Sequence, residues 1–230
     1  MIRLLIFAVA PLLVFACSPD DDAVPASPEF AYDFSTDAEG WMGDFADYPV
    51  GAEEQYELDF GYATLPEPLD TREGALRQSG INGSDDLFMF VKRKLTGLEP
   101  NRTYAATFSV RLATNVADGT VGIGGSPGTS VFVKAGLATS EPTTVRDDLD
   151  HYRLTLDKGN QATEGEDAII LGDLANGTPE DTYVLKELTN ATPFAVQADA
   201  NGELWFFVGT DSGFEGRTTV YYDAITVDLR

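Results

Sequence analysis

Thr103-Tyr104-Ala105-Ala106-Thr107-Phe108-Ser109-Val110-Arg111-Leu112 decides the fold class of this chain. Tyr104, Ala106, Phe108, Val110 and Leu112 recur at every second position and leave Thr103, Thr107, Ser109 and Arg111 on the other side. Side chains alternate between the two faces of a strand, so the segment reads as a strand with one face buried. The same period recurs in Phe30-Ala31-Tyr32-Asp33-Phe34, in Tyr56 to Tyr62, and in Leu87 to Leu95, Ser130 to Leu137 and Tyr152 to Leu156. It continues in Ala168 to Leu171, Tyr183 to Leu188, Phe194 to Gln197, Leu204 to Val208 and Thr219 to Leu229. No segment carries a sustained helical stripe. Roughly eleven or twelve strands in one domain predict an all-β fold, a jelly-roll β-sandwich of two antiparallel sheets.

Two strands depart from the rule of one wet face. In Leu87-Phe88-Met89-Phe90-Val91 and in Leu204-Trp205-Phe206-Phe207-Val208 both alternating sets are apolar, so each must be covered on both sides. Either a loop folds back over the second face, or Phe88, Phe90, Trp205 and Phe207 floor a groove in which aromatic planes stack on sugar rings. Two long loops, Asp37 to Glu53 and Ala63 to Gly74, are the candidate covers and also candidate ligand carriers. Trp41, Tyr48 and Tyr62 are candidate ligand contacts on chemical grounds. The last strand places Asp223 at the parity of Tyr221, Ile225, Val227 and Leu229, a carboxylate among core residues. It needs a hydrogen-bonding cluster, an arginine, a cation, or a bulge that turns it outward.

The chain starts with a short apolar run led by Arg3 and closing at Val14-Phe15-Ala16-Cys17, followed by Ser18-Pro19-Asp20-Asp21-Asp22. A basic start and a short apolar segment ending at a small residue is a secretory signal. Val14 to Cys17 resembles the lipobox of bacterial lipoproteins. The resemblance implies a signal peptide over 1–16, lipidation of Cys17, and a partner membrane, the outer membrane, on its periplasmic or surface side. Two acyl chains suffice for stable attachment. Residues 17–28 hold three prolines and little to bury, an extended tether of about 30 Å. Residues 29–230 read as one domain, and 12 Phe, 9 Tyr and 2 Trp are ample for its core.

Without Arg3, 14 basic side chains face 38 acidic ones, a net charge of −24. Nucleic acid is excluded as a partner, because phosphate contacts need clustered Lys and Arg. Anionic polysaccharides would be repelled unless a divalent cation bridges them. Catalytic signals are thin: His151 is the one histidine, no Gly-x-Ser-x-Gly elbow occurs, and Gly122 to Gly128 lacks the lysine of a phosphate cradle. Val133-Lys134-Ala135-Gly136 is similar to a strand of jelly-roll alginate lyases, but the Tyr and Gln expected downstream are missing.

Three segments resemble the CenC-type carbohydrate-binding modules of the galactose-binding superfamily. They are Phe30 to Phe34 with Gly40-Trp41, the corner Leu95-Thr96-Gly97-Leu98-Glu99-Pro100-Asn101-Arg102-Thr103-Tyr104, and the closing Val220-Tyr221-Tyr222-Asp223-Ala224-Ile225-Thr226-Val227. The resemblance implies a jelly roll with a structural calcium ion, bound through Asp223 with Glu29 and Asp33 as candidate partners. It also implies a non-catalytic module for a neutral glycan or another cell-surface component. A polysaccharide lyase or glycoside hydrolase on the same scaffold, and a structural or adhesive envelope protein, are the alternatives.

Overall fold

The computed structural model describes residues 27–84 and 86–230. The expected signal peptide, Cys17 and the expected tether as far as residue 26 lie outside the described residues. The elements are β1 (Glu29–Asp33), β2 (Met42–Ala46), β3 (Tyr48–Pro49), α1 (Glu53–Tyr56), β4 (Asp59–Thr64), β5 (Gly74–Ile81), β6 (Leu87–Leu95) and β7 (Thr103–Thr114). They continue with β8 (Val131–Ala138), β9 (Thr144–Arg146), β10 (His151–Leu154), β11 (Ala168–Asp173), β12 (Val184–Thr189), β13 (Phe194–Gln197), β14 (Leu204–Ser212) and β15 (Arg217–Leu229).

The strands form two antiparallel sheets, the jelly-roll sandwich expected from the period-two pattern. One runs β11-β8-β14-β6-β2. The other runs β12-β7-β15-β5-β4, with β13 continuing the β12 side of β7 and β1 continuing the β5 side of β15. A small third sheet, β3-β10-β9, accompanies them. Between the two large sheets lie the alternating sets read from the sequence: Phe108, Val110 and Leu112 of β7 face Val131, Val133, Phe206 and Val208 in one core. Each such side chain taken wholly out of water contributes about 1.5–3 kcal/mol.

The corner from Leu95 to Tyr104 closes on itself. Asn101 and Gly97 adopt left-handed backbone, φ 59° and 83°, and the Glu99 N–H donates to the Tyr104 hydroxyl at 2.9 Å. Two parts of the sequence reading are corrected. Residues 37–53, expected as a loop, contain β2 and β3, and Tyr56 ends a helical turn. Gly74–Ile81, expected to begin only as the end of a loop, is a strand paired on both sides, with β4 and β15. Its missing apolar period has a cause: Gln78 is fully buried and spends its amide on the Phe90 carbonyl at 2.9 Å and the Asp44 carbonyl at 3.2 Å.

Candidate functional site

The second faces of β6 and β14 are covered, so Phe88, Phe90 and Phe207 do not floor an open groove. Each is 0% exposed, and they pack with Ala46, Ala168, Leu154 and Leu156. The cover is built mainly from the segment 139–167, with Ala46 beside it and β3 paired to β10, both from the expected loop 37–53. It approaches closely because Gly136 carries no side chain: a Cβ there would lie 2.0 Å from the Asp167 carbonyl oxygen, while Gly209 makes room for the Phe88 ring of β6. Trp41 is also core, edge-on to Tyr32, Phe34 and Phe206 at 5.4–6.0 Å. Tyr48 is buried between Tyr56 and Tyr152. Of the seven expected ligand contacts only Tyr62 and Trp205 retain real exposure, and they sit on different sheets. The Tyr62 hydroxyl donates to the Ser35 carbonyl at 3.0 Å, and Lys94 stands 5.6 Å over the Trp205 ring.

Asp223 is answered by an arginine. A bulge between Tyr222 and Ala224 changes the parity of β15, so Tyr222 enters the core and Asp223 turns to the opposite face. There it is ion-paired with Arg111, whose Nη2 is also 3.8 Å from Asp33. Glu29 does not join them. It pairs with Asp228, while Asp33 pairs with Ala224 at the other end of β1, about 13 Å away along an extended strand. The carboxylates expected to share calcium therefore do not converge, and the guanidinium supplies the positive charge. His151, at the start of β10, holds Nδ1 2.9 Å from the Leu149 carbonyl oxygen two residues earlier.

The charged centre of the molecule lies elsewhere, under the cover. Asp47, Asp86 and Asp211 each offer a carboxylate oxygen within 4.8 Å of the others, a spacing that could hold a metal ion. Positive side chains already stand there. Lys158 Nζ is 3.0 Å from Asp47 and 2.8 Å from Asp211, Lys134 Nζ is 2.9 Å from Asp211, and Arg153 Nη1 is 3.1 Å from Asp47 and 3.3 Å from Asp86. Arg153 extends the network outward to Asp147 at 3.1 Å. Lys158, Lys134 and Arg153 thus already occupy the space between the three inner aspartates as ion-pair partners. A cleft of about 400 Å³, lined by Asp47, Asp86, Arg153, Lys158 and Asn160 among others, opens above it.

Burial, then the charge of Asp47, pushes the Asp86 carboxyl up to about 7. Burial lowers the Lys134 amine. On Lys158 burial acts the same way, but Asp211 and Asp47 outweigh it and hold the ammonium above its ordinary value. Between about pH 4 and 7 the folded chain thus keeps a proton on Asp86 that the unfolded chain has lost. Its stabilising contribution is complete below about 4 and is lost as the pH rises through about 7. Asp86→Asn, which fixes the neutral form, is expected to flatten that decline and to raise stability at pH 8 by on the order of 2 kcal/mol. Urea unfolding of both proteins from pH 5 to 8 measures it, and parallel curves would refute the assignment.

A second concavity, of about 630 Å³, lies where the free edge of one sheet meets that of the other, between β11 and the turn joining β12 to β13. Ile169, Leu171, Pro193 and Phe194 give it apolar walls, and Thr189, Thr192 and Glu164 give it a polar rim. The Phe194 ring is held from behind by Phe108, 5.9 Å away. Asn190 fixes the turn by accepting from the Phe108 N–H and donating to the carbonyls of Ala106 and Thr192. The sequence reading passed over this groove. Its one local signal is the break Thr189-Asn190-Ala191-Thr192-Pro193 between two half-exposed strands.

Neither a protein-family model nor a curated protein sequence matches the chain. Solved structures of similar shape include TmCBM27, a carbohydrate-binding module described for specific mannan recognition, at 11% identity and TM-score 0.40, covering 89% of this chain and 99% of that one. The K1 adhesin domain of Lys-gingipain from Porphyromonas gingivalis aligns at 10% identity and TM-score 0.37, over 88% of this chain and 98% of that domain. The enzymatically active domain of bacteriophage CBA120 tailspike protein 4 aligns at 12% identity and TM-score 0.36, over 81% of this chain, which spans only 19% of that protein. Likenesses at this level are loose, and the assignment to an all-β sandwich rests on the strand pairing itself.

Proposed function

We propose that this chain is a cell-envelope lipoprotein whose sandwich binds a neutral glycan, without catalysis, in the groove between β11 and the β12–β13 turn. The lining of that groove carries the reading. A sugar ring offers apolar C–H faces and a hydroxyl rim, and the groove offers Phe194, Ile169 and Leu171 beside Thr189, Thr192 and Glu164. Its volume falls within the roughly 300–1,000 Å³ of small-ligand sites. The net charge of −24 disfavours an acidic polysaccharide. Acyl chains on Cys17 would hold the domain at the outer membrane, and mass spectrometry of the mature N-terminus tests that part separately.

Affinity electrophoresis of the domain in gels of neutral mannan, galactan and glucan tests the binding, in the presence of calcium and of a chelator. Retarded migration in a neutral gel is expected in both conditions, with none in alginate. Phe194→Ala is expected to weaken binding roughly tenfold, equivalent to about 1.4 kcal/mol, with an unchanged circular dichroism spectrum. New reducing or unsaturated ends would identify an enzyme instead. Unaltered mobility in every neutral gel would leave the adhesive alternative.

A further inference from the structure

Lys134 and Asp211 are wholly buried side chains on neighbouring strands of one sheet, β8 and β14. Lys134 pairs with Gly209 and Asp211 with Phe132, so the two are diagonal neighbours on the covered face. Lys134 Nζ lies 2.9 Å from Asp211 Oδ2 and donates to the carbonyls of Lys158 at 2.8 Å and Thr163 at 2.9 Å. An uncharged amine has two N–H bonds. With both directed at those carbonyls, its lone pair faces the remaining neighbour, the Asp211 carboxyl. Asp211 Oδ2 also accepts from Lys158 Nζ at 2.8 Å and from the backbone N–H of Gln161 at 2.9 Å. These donors stand where negative charge would gather if Cγ became tetrahedral. Among the described residues, Asp211 Oδ1 is buried and accepts no hydrogen bond, and the same holds for Asp86 Oδ1.

We propose that Lys134 and Asp211 become joined by an intramolecular amide bond that the folded chain makes itself, with Lys158 and Gln161 holding the intermediate and Asp86 carrying the proton. The ion pair first becomes a neutral amine and a neutral carboxylic acid by proton transfer within the cluster. The Nζ lone pair then attacks Cγ, forming the C–N bond and placing charge on Oδ2. The proton released by nitrogen passes through Asp86 to Oδ1, the C–Oδ1 bond breaks, and one water leaves. Acid plus amine gives amide plus water, so no oxidant or activating group is required. Two effects favour the step: a dry site withdraws the solvation that normally keeps an ammonium and a carboxylate apart as ions, and the strands hold the reacting atoms in register. Burial shifts the Lys134 amine toward its uncharged form and raises the Asp86 carboxyl to about 7, both in the direction the step needs. The product ties two adjacent strands together covalently beneath the cover.

Mass spectrometry of the full chain tests this. The intact protein is expected to weigh one water less than its processed sequence, and peptide mapping to yield one fragment in which the Lys134 and Asp211 peptides are linked. Asp211→Asn should give the same linked fragment by losing ammonia, and Lys134→Arg should give none. Asp86→Ala should fold without linking, and Asp86→Glu should restore part of the product, which a purely structural role for Asp86 would not require. Folded wild-type protein of full mass that yields separate Lys134 and Asp211 peptides overturns the proposal. A linked fragment in Asp86→Ala at the wild-type level removes Asp86 from it.

Discussion

Replacing Lys158 with methionine is expected to lower the free energy of unfolding by about 3 kcal/mol, the bottom of the range for breaking a buried ion pair. Methionine keeps most of the aliphatic stem, so the change isolates the ammonium. That ammonium stands between two carboxylates that are 8% and 0% exposed, Asp47 and Asp211, and 5.0 Å over the Phe88 ring. Among the described residues, Asp47 then retains the half-exposed Arg153 as its ion-pair partner, and Asp211 retains Lys134. These surviving partners are why the loss is put at the low end. If Asp211 is already an amide, Asp47 alone is stranded and the sign is the same. Urea unfolding at pH 7 measures the effect. Arg146→Ala supplies the contrast, since the Arg146–Asp150 pair is 60% and 70% exposed and such pairs contribute about 0–1 kcal/mol. Equal midpoints for Lys158→Met and Arg146→Ala would show that the cluster is solvated.

The same cluster marks how far the sequence could be read. Strand alternation exposed the sandwich and also the two doubly apolar strands, because burial on a pleated surface leaves a period of two whatever the partner. Continued along the second face, that parity passes from Phe88 and Phe90 to Lys92, and from Phe207 through Gly209 to Asp211. A charged residue at the end of a covered row must be paired within the fold, and the small Gly136 announces a close cover. These signals are present in the chain, but the partners are not: Asp47, Lys158 and Lys134 come from three distant segments that only the tertiary fold brings together. Asp223 shows the opposite case. Its parity was read correctly for an unbroken strand, and one extra residue at the bulge reversed the face. Aromatics in loops often touch ligands, yet Trp41, at the entry to β2, and Tyr48, in β3, both turn inward. The groove at the sheet edges was illegible for a related reason, since it belongs to no single strand and arises where two free edges meet.

The covered second face gives a large effect that separates packing from recognition. Phe88→Ala is expected to cost about 3–5 kcal/mol, as for other buried phenylalanines, and to leave glycan affinity within about twofold at temperatures where the variant is folded. Phe88 is 0% exposed, lies stacked on Phe90 with ring centroids 5.3 Å apart, and forms the apolar wall on which Lys158 rests. Truncation opens a void between β6 and the segment 139–167 that neighbouring rings, fixed by Leu154 and Leu156, cannot refill. Phe88→Leu, which keeps most of the volume, is expected to recover more than half of the loss. Were Phe88 the floor of an open groove, the order would invert: truncation would change stability by less than about 0.5 kcal/mol, as at ordinary surface sites, and would abolish binding. Thermal unfolding and affinity electrophoresis on the same three proteins decide between them, because each alternative moves one measurement and leaves the other in place.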